Sequence, residues 1–465
     1  KDYLYINNGN GSFREAIEEY MDEISMGSMG ADMADINNDT WPDLFVTEML
    51  PADPARLKTV TTFEDWNRYQ YSVQNDYYHQ FTRNVLQLNN GDDTFSEIGR
   101  FSGVEATDWS WGALMFDMNN DGLRDLFVAN GIYQDLTNQD FLQYASNEEF
   151  VKSVLEDKKV NYKKLTEIIP SNPIPNFAFE NTDELRFTNR AKEWGLATPG
   201  FSNGSAYGDL DNDGDLDLVV NNVNMACFVY RNETEQRNPK NHYLKFILRG
   251  KDANTQAVGT RITLKSGTKT WYGEQNPTRG FESSVDPRPN FGLGETAVID
   301  EVMVEWPDGT VTTLNAVKTN QTLELKQADG KPDTRIITAP TAPIFKSADL
   351  GADFTHRENL FVDFDRDKLL YHMVSTEGPG MAKGDVNGDG RDDLVGFGLD
   401  GGYVALSNGS GFNTIAKWSN SFDLSHGWTV SQYVRTVGDI NHDGLSDLVG
   451  FGLDGVCIGP AQTIP

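Results

Sequence analysis

Asp209-Leu-Asp211-Asn-Asp213-Gly214-Asp215-Leu-Asp217 sets acidic side chains at positions 1, 3, 5 and 9 of a nine-residue window, with glycine at position 6. Four further windows repeat the pattern with acidic or amide groups: Asp35-Ile-Asn37-Asn-Asp39-Thr-Trp41-Pro-Asp43, Asp117-Met-Asn119-Asn-Asp121-Gly-Leu123-Arg-Asp125, Asp385-Val-Asn387-Gly-Asp389-Gly-Arg391-Asp-Asp393 and Asp439-Ile-Asn441-His-Asp443-Gly-Leu445-Ser-Asp447. Five copies exclude coincidence and make this window the unit on which the chain is built.

Alternate oxygen-bearing side chains on a tight loop converge on one point, which suits calcium, a hard cation that takes six to eight oxygens. Positions 1, 3, 5 and 9 supply side chains, and position 7 (Trp41, Leu123, Asp215, Arg391, Leu445) supplies its backbone carbonyl. Packing Asp209, Asp211, Asp213 and Asp217 on one turn without a cation costs several kcal/mol of repulsion, roughly, at any reasonable dielectric. The expected complement is about five calcium ions, one per loop. An EF-hand starts in the same way but needs a bidentate Glu at position 12 and a following helix. Here position 12 is Val46, Val128, Val220, Gly396 or Gly450, and short β-prone runs such as Leu44-Phe-Val46 and Leu218-Val-Val220 follow the ninth-position Asp. The loops therefore join strands. The first departs most, with Thr40 in place of glycine and Pro42 stiffening position 8.

The windows begin at residues 35, 117, 209, 385 and 439, as expected for blade-sized units with insertions. Leu4-Tyr-Ile-Asn-Asn-Gly-Asn-Gly-Ser-Phe13 matches Leu86-Gln-Leu-Asn-Asn-Gly-Asp-Asp-Thr-Phe95, and 177–187 is a degenerate copy. Each reads as a β-hairpin upstream of a metal loop. Insertions at about 51–83, rich in aromatics, and 136–168 read as short helical segments. The expected layout is blades over 1–240, a β-rich module over 241–326, a Pro/Thr/Ala-rich linker over 327–345 and further blades over 346–465. Within the module, Tyr243–Leu248, Arg261–Leu264, Val298–Trp306 and Thr322–Leu325 read as strands, and Asn290–Gly294 and Trp306–Gly309 as turns.

Thirty-nine basic against 70 acidic residues leave a net charge of −31, which argues against nucleic acid and anionic membranes as partners. Two cysteines, Cys227 and Cys457, exclude a disulfide framework and leave room for one bridge. No apolar run approaches the length of a transmembrane helix. The chain begins at Lys1 in what reads as mid-strand, as in a mature fragment or partial chain. Loops of this density work at millimolar calcium, which points to an extracellular or cell-surface setting.

The metal window followed by a hydrophobic strand resembles the integrin-α-like FG-GAP or VCBS repeats. That resemblance implies an all-β propeller whose four-stranded blades carry calcium loops. Residues 241–326 resemble the ASPIC/UnbV module through Gly259-Thr-Arg-Ile262, Asn290-Phe-Gly-Leu-Gly294 and Val304-Glu-Trp-Pro-Asp-Gly309. Gln80–Asn84, Thr107–Trp111 and His356–Asn359 are similar to segments of bacterial surface proteins that pair these elements and are distant relatives of the cartilage acidic protein family. The tail, with Gly427-Trp428, Val434-Arg435 and two Gly-Phe-Gly-Leu-Asp-Gly runs, resembles mushroom lectins built on integrin-like propellers. Those lectins bind N-acetylglucosamine-type sugars between blades.

These readings converge on a non-enzymatic, calcium-binding surface protein that recognises a glycan or another extracellular protein. His426 and Trp428 are the candidate ligand contacts, and Trp109, Trp111 and Trp418 are further aromatics to place. The sequence shows no H-E-x-x-H and no Cys/His cluster. The alternatives are a structural component of an extracellular assembly and a polysaccharide-active enzyme on a propeller scaffold.

Overall fold

Strand Asp125–Asn130 is buried along its whole length, because its alternate residues serve two cores. Leu126 and Val128 point into a cluster with Ile36, Phe45, Leu86 and Met115. Phe127 and Ala129 point the other way, into a cluster with Leu114, Phe116, Leu216 and Val220. A strand apolar on both faces belongs between two other sheets, which is the position of a middle blade.

A computed structural model describes residues 2–60, 65–147, 152, 166–182, 184–335, 360–368, 370, 372–376, 381–398, 400–422, 435–452 and 455–459. The chain divides into two compact units, Lys1–Ile336 and Ile337–Pro465. His426, Trp428 and His356–Asn359 lie outside the described residues, as does most of the insertion at 136–168.

The first unit contains three antiparallel blades. The first has strand order Ala31–Ala34, Asp43–Val46, Val85–Asn89, Phe95–Glu97. The second runs Ser110–Phe116, Asp125–Asn130, Phe177–Asn181, Phe187–Asn189, and the third Ser202–Gly208, Asp217–Asn222, Phe228–Tyr230. In each, an acidic window connects the first two strands. The repeated hairpins form the outer two strands of the first and second blades, and the Leu4–Phe13 copy pairs as Tyr5–Asn7 with Phe13–Glu15. Both insertions enter between the second and third strands of a blade. The 51–83 insertion carries helices Pro54–Val60 and Trp66–Gln74, and the described part of the other carries Gln139–Ala145. Cys227 is exposed and unbridged.

The β module follows. Tyr243–Arg249 pairs with Asn290–Gly292 on one side and, in parallel, with Gln321–Lys326 on the other. A five-stranded sheet, ordered Lys269–Glu274, Arg261–Ser266, Val298–Glu305, Thr310–Lys318, Lys331–Pro332, faces it across a core of Leu244, Phe246, Leu264, Trp271, Val302 and Trp306. Two expectations change. Asn290–Gly292 is a strand, because its backbone completes the edge of Tyr243–Arg249. Pairing also runs past 326, since Lys331–Pro332 continues the larger sheet. The second unit holds a four-stranded blade, Met381–Gly384, Asp393–Gly398, Gly401–Ala405 and Ala416–Ser419. It also holds a three-stranded blade of Arg435–Gly438, Asp447–Gly452 and Gly455–Gly459.

No closed propeller ring forms among the described residues. In the first unit the first strands of the three blades stand side by side, and the module sends a short hairpin, Thr278–Arg279 with Ser283–Ser284, against them. Gly280 bridges to Ala31 of the first blade, and Phe281 packs at 4.9 Å on Trp111 of the second. Ser283–Ser284 lies beside the first strand of the third. Arg279 anchors the hairpin, bonding Asp32 Oδ1 at 2.7 Å and the Met33 carbonyl at 2.8 Å. Asp32 is 4% exposed and accepts the Met115 N–H on its other oxygen. The pair thus ties the module to two blades at once. Removing one partner of a buried ion pair typically costs about 3–5 kcal/mol, because the other charge stays buried alone. Arg279→Met is expected to destabilise the protein by that order in urea unfolding, more than loss of an exposed pair such as Arg249–Glu324.

Candidate metal loops and the groove between blades

All five loops share one backbone scheme. The first-position Asp accepts N–H groups from the loop's own turn: Asp117 takes those of Asp121 and Gly122 at 3.2 and 2.8 Å. Asp35, Asp385 and Asp439 repeat this, and Asp209 accepts from Gly214. The residue at position 4 is left-handed in every loop (Asn38, Asn120, Asn212, Gly388, His442), and so is position 6. Asparagine tolerates that conformation and glycine adopts it freely. Thr40 holds it at φ 77°, where a β-branched side chain is strained.

The ninth-position Asp is a staple. Asp125 is fully buried, and its two oxygens accept the N–H of Met118, inside the loop, and of Asn181, on the third strand, each at 2.9 Å. Asp43 repeats this with Ile36 and Asn89, Asp217 with Leu210 and Asn232, and Asp393 with Val386 and Ser407. Asp447 accepts from Ile440. Asn89 and Asn181 fall in the repeated hairpins of the sequence, whereas Asn232 falls in none of its motifs. Asn181 Nδ2 donates to the Ile36 carbonyl of the preceding loop and the Arg124 carbonyl of its own. Asn232 does the same for Met118 and Leu216. Position 4 adds a second link, with Asn38 donating to Gly122 O and Asn120 to Gly214 O. Beyond the third blade the module takes over, with Asn290 donating to Gly214 O and Arg288 to Asn212 Oδ1. Gly292 abuts the Asp117 carboxylate so closely that a Cβ there would lie 1.9 Å from Oδ2.

Coverage by the module and by neighbouring blades buries the first- and ninth-position carboxylates of the first-unit loops. Burial, then crowding by Asp121, pushes Asp117 up to about 7; burial also lifts Asp35 to about 6 and Asp43 to about 7. Asp125 is raised by burial and by Asp117 and Asp121. In the second unit the loops are open. There burial opposes, but N–H bonds from Gly390, Gly388 and Asp389 prevail and hold Asp385 below its ordinary value.

The third loop gathers most charge. Asp209, Asp211 and Asp217 bring carboxylate oxygens within 4.8 Å of one another, the spacing of ligands around one hard cation. Asp209 Oδ1 is buried with no donor, while Oδ2 meets the Lys245 ammonium from the module. Asp215 turns its side chain away from this group toward Asp213 and Glu235. Burial, followed by the bond it shares with Glu235, lifts Asp215 to about 8. Asp39, Asp121, Asp389 and Asp443 instead accept an amide N–H from the position-3 Asn of their own loop. Trp41, Leu123, Arg391 and Leu445, at position 7, donate backbone N–H groups to the position-5 Asp.

A groove of about 500 Å³ opens between the second and third blades, lined by Trp194, Tyr230, Arg231, Asn232, Glu233 and Asn238 among others. The Tyr230 hydroxyl has no hydrogen-bond partner. Trp109 and Trp111 are half-buried, with Trp111 Nε1 donating to the Gly131 carbonyl, and Trp418 packs on the core of its blade. These three are packing groups.

Residues 1–46 match the model of the FG-GAP-like repeat, and residues 250–332 match that of ASPIC and UnbV. The chain carries both elements. It is 24% identical over 304 residues to cartilage acidic protein 1 of Xenopus tropicalis, an alignment covering 59% of this chain and 45% of that protein. The chain therefore spans under half the length of that relative. A solved Agrocybe aegerita lectin, described for specific recognition of non-reducing terminal N-acetylglucosamine, matches at 16% identity over 94% of this chain and 79% of its own. Its TM-score of 0.20 is too low for that likeness to carry an argument. The NFGLG run of the ASPIC/UnbV module is the strand that seats on the second FG-GAP-type loop.

Two outcomes follow. Asp125→Ala leaves two buried N–H groups unsatisfied at about 1–3 kcal/mol each, so it is expected to lower stability even in chelator, as read by urea unfolding. The raised carboxyls carry a definite sign. Their folded values lie above the unfolded value of about 4, so the stability they contribute is complete below pH 4 and lost as pH rises through about 6–7. In EDTA the melting temperature should fall between pH 5 and 8.

Proposed function

We propose that this chain is a non-enzymatic, calcium-binding protein of the extracellular space or cell surface that recognises glycans or extracellular proteins. The observation that carries the reading is the third loop, where Asp209, Asp211 and Asp217 converge around a buried oxygen that has no donor. Asp, Asn and a backbone carbonyl are the donor set of a hard cation, and the same window stands at the same place in all five blades. Asp35, Asn37, Asp39 and Asp43 would hold the ion of the first loop, with matching residues in the others. The ion would supply positive charge to carboxyls that burial otherwise drives toward protonation. The chain's own part is to fix the ligands through the ninth-position staple, so that bound calcium stiffens each blade.

Similarity to cartilage acidic protein 1 and the FG-GAP-like match support an extracellular setting. Among the described residues, no helix is long and apolar enough to cross a membrane. The groove between the second and third blades supports recognition, since Trp194 and Tyr230 supply aromatic faces and Arg231, Asn232 and Asn238 a polar rim. Aromatic faces with nearby amides suit a sugar, which has apolar C–H faces and equatorial hydroxyls.

Calorimetry of the full chain tests the metal. Saturating calcium is expected to raise the melting temperature, because folded loops bind it and the unfolded chain does so far less; 100-fold excess over Kd is worth about 2.7 kcal/mol per site. An unchanged melting temperature in EDTA overturns the reading. A glycan array with calcium then tests recognition: binding that Trp194→Ala weakens supports it, and silence favours a structural component of an extracellular assembly. Incubation with polysaccharides should release no product.

A further inference from the structure

Only the third loop carries a carboxylate at position 7, and its side chain leaves the loop's centre. Asp215 is 1% exposed; its Oδ2 accepts the Glu235 N–H at 3.1 Å, no N–H or hydroxyl donor reaches Oδ1, and its carboxyl group meets that of Glu235. Glu235 stands outside the nine-residue window, on the turn Thr234–Arg237 after the blade's third strand. Its Oε1 accepts Gln236 Nε2 at 2.8 Å, and its Oε2 is buried without a donor. Asp213, at position 5, completes the group: its Oδ1 accepts the Asp215 N–H at 3.4 Å. Carboxylate oxygens of Asp213, Asp215 and Glu235 all lie within 4.8 Å of one another. Two oxygens bound to one calcium sit no further apart than about twice the metal–oxygen distance, roughly 5 Å.

We propose that the third loop holds two divalent cations, one between Asp209, Asp211 and Asp217 and a second between Asp213, Asp215 and Glu235. The inference rests on the reading of these loops as calcium sites. Charge supports it independently of ligand spacing. Six carboxylates meet here, and among the described residues the cationic side chains paired with them are Lys245, on Asp209, and Arg231. Arg231 lies on the solvent side, 2.8 Å from Asp211, 3.4 Å from Asp213 and 3.9 Å from Glu235, and is itself exposed. Arg288 is committed to Asp286 and donates only to uncharged oxygens of the loop. Fully ionised, as bound ions would hold them, the six carboxylates exceed these two cations by four negative charges, the complement of two divalent ions. A purely oxygen ligand set, with two oxygens facing inward without donors, selects a hard cation such as calcium over zinc. Asp213 sits at the seam of the two groups, which explains why this loop, unlike the other four, has aspartate at both positions 5 and 7.

Calcium titration of the full chain by calorimetry, with equilibrium dialysis for stoichiometry, tests this. Glu235→Gln is expected to lower the number of bound ions by one while leaving the affinity of the remaining sites unchanged. An equal count in wild type and Glu235→Gln overturns the second site and leaves the loop reading intact, as would be the case if Asp215 and Glu235 merely share a proton. No binding in the wild type overturns both. Wild-type crystals grown in calcium give a readout free of folding effects. Two anomalous peaks at the third loop support the inference, and a single peak there overturns it.

Discussion

The ninth aspartate of each window, buried and bonded to backbone N–H groups, is the constraint on which the rest depends. In four blades one oxygen closes the loop on itself and the other catches the third strand or the residue two beyond its end, so loop shape and strand pairing are set together. A buried carboxylate is tolerable only when such donors compensate its lost hydration. The same bonds leave the residual charge pointing into the loop, where a cation would neutralise it. Stability and ion affinity are two consequences of one arrangement.

From that staple the first unit extends as a chain of linked loops. Asn38 and Asn120 reach the next loop, Asn181 and Asn232 reach back to the previous one, and the series ends on Arg288 and Asn290 of the ASPIC/UnbV module. The module meets the blades twice, at the loops through its NFGLG strand and at the first strands through the Arg279 hairpin. Its glycines are explained by this docking, since Gly292 lies where no side chain fits against Asp117. This packing also explains why the buried loop carboxyls Asp35, Asp43 and Asp117 are driven upward while Asp385 is not.

Much of the candidate site was legible from residues alone. The window names its own ligands, and a strand following the ninth Asp distinguishes it from an EF-hand. Glu235 was not legible, because nothing in its local sequence separates it from other surface glutamates; only the fold sets it beside Asp215. Asn89 and Asn181 were visible in the repeated hairpins and Asn232 in no motif, and the hydrogen bonds of all three cross between loops and strands and leave no mark in local spacing. The sequence left Trp109, Trp111 and Trp418 open between ligand contact and blade packing, and the structure makes them packing groups, since exposure depends on which neighbour arrives.

By itself the sequence determined the blades, the loops that open them and four strands of the β module, because each rests on local periodicity: glycine or asparagine at the turns, carboxylates on alternate positions, apolar residues on the strand that follows. Only the tertiary structure decided that a hairpin of the module lies against the first strands of the blades, and that Lys245, Arg231 and Glu235 converge on one loop. Those outcomes depend on long-range contacts, whose energies come from desolvated charges meeting across distant segments. Such charges carry no period for a sequence to display.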